Sequence, residues 1–206
     1  GNIPFVSRCQ IIYSAHSPNI VESKSLKLYL NSFYDKQFNS IESLKKVIKA
    51  DLENIIKDDV TVVFLDIETV ADNIPEHYIC LESEVKSLET FESLQFKTEQ
   101  VSETLYTHLF RSLCPVTSQP DFATIIIEYT GQKMRREDLL SYIVSFSNHQ
   151  GFHEQCVDLM FNYIKKHSEI TQCSVQGLFT RRGGIDINPF RSSENKQSLY
   201  LSLNRQ

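Results

Sequence analysis

Residues 122–146, FATIIIEYTGQKMRREDLLSYIVSF, change their hydrophobic period in mid-course, and that change decides the fold class. Phe122 to Tyr129 is rich in β-branched side chains and reads as a strand. Thr130-Gly131 reads as a turn. From Arg136 onward Leu139, Leu140, Ile143 and Phe146 recur at helical spacing. Working outward, a further helix is expected from about Phe152, with Val157, Met160, Phe161 and Ile164 on its apolar side. Cys173 to Phe179 reads as a strand, interrupted by Arg181-Arg182-Gly183-Gly184 and continued over 185–190. Residues 104–112 read as a strand before this block, and the alternating residues 198–203 as one after it.

The first half presents the same order of elements. Residues 4–13 (PFVSRCQIIY) read as a strand, and Ser17-Pro18-Asn19 as a turn. Leu26, Tyr29, Leu30 and Phe33 place a helix from Ser23. Ile41, Leu44, Ile48, Leu52 and Ile56 place a second, with Ser40 as its N-cap. Residues 60–67 (VTVVFLDI) read as a strand. Between the halves, residues 70–103 are Glu-rich, have no clear period and read as a linker that partly packs. The expectation is an α+β chain of two tandem modules, each an antiparallel sheet with a helix pair on one face. The first module spans 1–70 and lacks an opening strand, 71–103 is the linker, and the second module spans 104–206.

The 206 residues are 41% hydrophobic and 23% charged, enough to build a core and unlike a disordered chain. The net charge of −5 and the lack of a long Lys/Arg run argue against a nucleic-acid surface. Arg135-Arg136 and Arg181-Arg182 are too few for a phosphate track and enough for one small anion. No apolar run approaches the roughly 20 residues that cross a bilayer, and no secretory signal is visible. The first residue is Gly rather than Met. Five irregularly spaced cysteines argue against a disulfide framework and for reduced thiols in a cytoplasmic protein.

Four segments carry candidate chemistry. Cys114-Pro-Val-Thr-Ser-Gln-Pro-Asp121 joins two strands, stiffened by Pro115 and Pro120. The spacing fits a nucleophile with an acid seven residues on, and it fits a buried thiol in a tight loop. His153-Glu154-Gln155-Cys156 opens a helix, so His153 and Cys156 share a face and Glu154 lies in the first turn, where a plain dipole-favoured acid also belongs. Arg181-Arg182-Gly183-Gly184 pairs guanidinium groups with glycines that let backbone approach an anion, or is a β-bulge with solvated arginines. Val21-Glu22-Ser23-Lys24 opens a helix whose first N–H groups can hold a phosphate, or which Ser23 simply caps.

Together the four segments resemble the nitrile reductases of queuosine biosynthesis, which reduce 7-cyano-7-deazaguanine to 7-aminomethyl-7-deazaguanine. Glu22-Ser-Lys-Ser-Leu-Lys-Leu-Tyr29 looks like that family's signature, and Cys114 and Asp121 stand at its nucleophile and proton-donor spacing. The signature precedes the cysteine by about ninety residues, as in the long subfamily of two tunnelling-fold modules, whose members carry several dozen more residues at the N-terminus. The resemblance implies a covalent cysteine thioimide with Cys114 and Asp121 catalytic. It implies Val21, Glu22, Ser23, His153 and Glu154 as substrate contacts, and Ser23, Lys24, Arg182 and Gly183 as NADPH contacts. It further implies no metal, a small nucleobase substrate, no direct contact with nucleic acid or membrane, a homodimer and a cytoplasmic location. No Gly-x-Gly-x-x-Gly is present, so the cofactor would not bind in the Rossmann manner. Asp121 must hold a proton when it donates, which calls for burial.

Cys114, His153 and Cys156 also have the makings of a three-ligand zinc site, as in some tunnelling-fold GTP cyclohydrolases, although that reading leaves Asp121 without a role. Cys114 and Cys156 would be able to form a disulfide if both line one pocket.

Overall fold

A computed structural model describes residues 7–34, 36–65, 73–198 and 201–206. The outer parts of the strands expected at 4–13 and 60–67, and residues 199–200, lie outside the described residues. The chain separates into two units, residues 1–70 with 183–185, and residues 71–182 with 186–206.

In the first unit β1 (Arg8–Tyr13) pairs antiparallel with β2 (Val60–Leu65), Arg8 opposite Leu65 and Tyr13 opposite Val60. Between them come α1 (Ser23–Asn31) and α2 (Ile41–Ile56). Ser40 and Ser43 cap α2 reciprocally, each side-chain oxygen accepting the other's backbone N–H. Lys57, at φ 63°, ends it in the left-handed conformation. Ile48, Leu52 and Ile56, one helical stripe, bury against Val60 and Val62 of β2, and Leu26 and Tyr29 of α1, with Phe33 just beyond it, pack around them.

The second unit is built on a five-stranded sheet of order β3-β4-β5-β6-β7, formed by β3 (Ile79–Cys80), β4 (Phe96–Leu113), β5 (Pro120–Met134), β6 (Ile170–Phe179) and β7 (Phe190–Ser192). All pairs are antiparallel except the short β3–β4 contact. A single turn, α3 (Leu81–Glu84), follows β3. α4 (Arg136–Val144), a 3₁₀ turn at 145–148 and α5 (His153–Lys165) separate β5 from β6. The sheet takes two apolar faces from one sequence run. Ile125 and Ile127 of β5 join Leu139, Ile143, Val157, Met160 and Ile164 of the helices. Ile126 joins Leu178 and Leu203 on the opposite side. The α+β class with antiparallel sheets and paired helices is therefore as expected.

Three expected boundaries differ. The strand expected over 104–112 starts at Phe96, within the stretch read as linker, because residues 97–100 are polar and exposed and hide its period. Thr130-Gly131 is not a turn. β5 runs through it with a shift of register, and a Cβ on Gly131 would stand 2.2 Å from the Glu169 carbonyl, so only glycine lets the segments cross. Gly183 and Gly184 turn the backbone at φ 59° and 88°; the chain then runs back along β6, the Phe179 and Gly177 N–H groups donating to the Ile187 and Pro189 carbonyls, but regular strand begins only at β7.

Candidate active site

Cys114 directly follows the end of β4 and opens the loop 114–119, which returns the chain to β5 with Asp121 as that strand's second residue. The loop ties itself shut: the Cys114 N–H donates to the Gln119 carbonyl at 2.9 Å, and the Ser118 N–H donates to the Cys114 carbonyl at 2.8 Å. Ser118 takes a left-handed φ of 56°, which curls the Val116 and Thr117 amides toward the sulfur. Burial pushes the half-buried Cys114 thiol up, but the Thr117 hydroxyl and the Thr117 and Val116 amides outweigh it, so the thiol ionises more readily than usual. The other cysteines of this unit's core are the opposite case. Burial pushes Cys156 and Cys173 up to about 11, and the nearby Ser112 hydroxyl only partly offsets this for Cys156.

Asp121 is opposite Ser112 in the β4–β5 register and only 3% exposed. Its Oδ1 lies 3.3 Å from His153 Nε2 and in a close ion pair with Arg182 Nη2, which also donates to the Pro120 carbonyl at 2.9 Å. His153 stands at the first position of α5, where a strap of backbone brings it to the loop. The Leu113 N–H donates to the His149 carbonyl, the Gly151 N–H to the Leu113 carbonyl, and the Gln150 amide to the Ser118 hydroxyl. The imidazole lies flat on Phe179, ring centres 3.8 Å apart and planes 10° from parallel. Glu154, next on α5, is half-buried and has no ion-pair partner among the described residues.

Cys114, Asp121, His153, Glu154 and Arg182 thus belong to the second unit, and Val21, Glu22, Ser23, Lys24 and Gly183 to the first. In the first unit the helix cap is Glu22, not Ser23. Its two carboxylate oxygens each accept a backbone N–H, from Lys24 and Ser25, at 2.9 Å. Partial burial pushes this carboxyl up, but those two amides, the Ser25 hydroxyl and the Lys24 charge win and hold it below the usual carboxylate range. Val21 packs on the Ile48–Leu52–Ile56 core, and Lys24 is exposed. A Cβ on Gly183 would meet the Lys27 ammonium at 2.6 Å, so the glycine leaves room for a cation to lie over bare backbone. An ammonium beside exposed backbone fits phosphate.

The zinc reading is not assembled: among the described residues no group of three His, Cys, Asp or Glu side chains is placed to hold a metal ion, and His153 Nε2 faces Asp121. Thr117 and Phe179 were missed in the sequence. Thr117 lies inside the quoted loop, but only the loop's curl aims its hydroxyl at the sulfur, and Phe179 reads as one more core aromatic. Among the described residues no helix is long and apolar enough to cross a membrane.

Comparison with known proteins gives two family matches, "QueF-like protein" over residues 120–198 and "Nitrile reductase, 7-cyano-7-deazaguanine-reductase N-term" over residues 1–64. A protein of Coxiella burnetii named NADPH-dependent 7-cyano-7-deazaguanine reductase is 42% identical over 92% of this chain and 70% of its own. Namesakes from Desulfotalea psychrophila and Buchnera aphidicola are 41% and 37% identical, over 98% and 100% of this chain and 76% and 82% of theirs. A solved apo archaeosine synthase, QueF-Like, is 15% identical with a TM-score of 0.40 over 47% of this chain and 95% of its own.

Proposed function

The chain belongs to the NADPH-dependent 7-cyano-7-deazaguanine reductase family, and we propose from this that it reduces the nitrile of 7-cyano-7-deazaguanine to the aminomethyl group in queuosine tRNA modification. The observation that carries the reading is the Cys114 loop: a self-closed loop in which the thiol ionises more readily than usual, with a buried carboxylate at the start of the next strand.

A nitrile carbon is a weak electrophile, and a readily ionised thiol is the side chain suited to attack it. Cys114 adds to that carbon and forms a thioimide. The thiol proton passes by way of Asp121 to the nitrile nitrogen, so the addition is balanced. When bound, NADPH would supply a hydride to the carbon of each of two successive carbon–nitrogen double bonds, and each nitrogen takes one proton from solvent, so two hydrides and two protons make the amine. Between the two reductions Cys114 leaves the carbon as a thiol. His153, held flat by Phe179, keeps Asp121 oriented, and Glu154 and Glu22 accept from the N–H donors of the guanine-like edge. Val21 and Ser23 complete the substrate contacts, and Ser23, Lys24, Arg182 and Gly183 contact the cofactor. The division of labour is by module, 1–70 carrying the signature and 104–206 the nucleophile, with 71–103 joining them. The enzyme works as a cytoplasmic homodimer on a free nucleobase rather than on nucleic acid.

The test follows NADPH absorbance with 7-cyano-7-deazaguanine and counts two NADPH per amine formed. Cys114→Ala should lose both the substrate-dependent ultraviolet change and the mass of the covalent adduct. A variant that still reduces the nitrile at near the parent rate would overturn the mechanism.

A further inference from the structure

The same Asp121 that the reaction needs as a proton carrier is, in the unliganded chain, already engaged. Both the Arg182 guanidinium and the His153 imidazole approach one atom, Oδ1, of a carboxylate that is 3% exposed. In contact with the carboxylate are Arg182 from beyond β6 and His153 from α5, Ser112 lies opposite it across the strand pair, and the thiols of Cys114 and Cys156 lie close enough to feel its charge. Arg182 is the one member of this group with a reason to move. Its side chain is one-third exposed, whereas those of Asp121 and His153 are 4% and 11% exposed. Its contacts to Asp121 and to the Pro120 carbonyl both run through Nη2, so the fork has further donors to offer. The next two residues, Gly183 and Gly184, take positive φ, a conformation glycine enters and leaves at low cost.

Resting on the function proposed above, we propose that Arg182 is exchanged between Asp121 and a cofactor phosphate, so that cofactor arrival frees Asp121 to carry the thiol proton. In its resting place Arg182 occupies Oδ1, an oxygen of the carboxylate that must take the thiol proton, so it slows the addition of Cys114 to the nitrile. A phosphate of NADPH offers the guanidinium a doubly charged, bidentate partner that competes with a single carboxylate oxygen. Once Arg182 leaves, Asp121 accepts the proton from Cys114 as the sulfur–carbon bond forms and delivers it to the nitrile nitrogen. Arg182 is thus a positioning residue for Asp121 and a binding residue for the cofactor, in turn. The consequence is an order of events in which covalent capture of the substrate accelerates when the reductant is present.

The experiment measures the rate of adduct formation with 7-cyano-7-deazaguanine in the full chain, without NADPH. It is repeated with 2′-phospho-ADP-ribose, which carries the cofactor's phosphates and no nicotinamide. The fragment should speed adduct formation by about tenfold in the parent protein. Arg182→Met should form adduct at the fast rate without the fragment, not respond to it, and show a raised KM for NADPH. Arg182→Lys keeps a charge beside Asp121 and should stay slow, which separates the loss of the ion pair from a folding defect. A parent rate unmoved by the fragment, or an Arg182→Met rate below the parent's, would overturn the exchange while leaving the reductase reading intact. Absence of any adduct in the parent protein, with no NADPH oxidation, would remove the proposed function and the exchange with it.

Discussion

Thr117 is the residue that separates the Cys114 loop from an ordinary buried-thiol loop. Its hydroxyl and amide, with the Val116 amide, are the donors that let Cys114 ionise more readily than a free thiol. Thr117→Val keeps the shape and removes the hydroxyl. The midpoint for alkylation of Cys114 by iodoacetamide should then move to higher pH, and the rate at pH 7 should fall by about tenfold, the worth of one hydrogen bond to a charged group. The direction follows from the sign: a lost donor disfavours the thiolate. Cys114, Asp121, His153 and Arg182 were each legible as candidates from residue type and spacing. The contact between Arg182 and Asp121 was not, because 61 positions separate them in the chain and only the β5–β6 pairing brings their strand ends together.

At the scale of the element, the position of His153 depends on β6 as much as on its own helix. Gly177 and Phe179 lie two apart on β6 and so share a face. A Cβ on Gly177 would meet the Phe179 ring at 2.8 Å and Val157 of α5 at 2.9 Å. Gly177→Ala should therefore cost about 1–3 kcal/mol of stability, as overpacking does. It should also displace the ring on which His153 lies, lowering turnover more than substrate affinity. Differential scanning calorimetry and steady-state kinetics on the same sample check both halves. The helices were legible because Ile48, Leu52 and Ile56, or Leu139, Leu140 and Ile143, mark one stripe each. The full length of β4 was not, because its first residues, away from the β4–β5 turn, alternate only Phe96 and Val101 with a run of polar side chains.

At the scale of the whole molecule, the second unit's fold rests partly on a charge cluster separate from the candidate site. Arg136, mostly buried at the start of α4, pairs with Glu103 of β4 at 2.6 Å and with Glu84 at 3.1 Å, and Glu103 also accepts from the Tyr129 hydroxyl. Burial pushes the Glu103 carboxyl up, but Arg136 and Tyr129 outweigh it and hold it below its ordinary value. The folded value is thus below the unfolded one. The stability this gives is complete above about pH 4.3 and is lost as pH falls through the folded value. Glu103→Gln should cost about 3 kcal/mol at pH 7 and flatten the acid limb of the stability curve, measured by urea unfolding across pH.

The sequence by itself determined the α+β class, the helix pairs, the candidate nucleophile and acid, and the family resemblance. Each is carried by local period or by short motifs whose residues are neighbours in the chain. Only the tertiary structure decided that Glu22 caps its own helix, that Thr117 faces the Cys114 sulfur, and that Arg182 rests on Asp121. It also decided that Gly131 is a crossing point rather than a turn. The reason is common to all four. Hydrogen-bond partners and close backbone approaches are fixed by where a loop curls or two strands meet, and composition leaves each of those residues several partners of equal chemical merit.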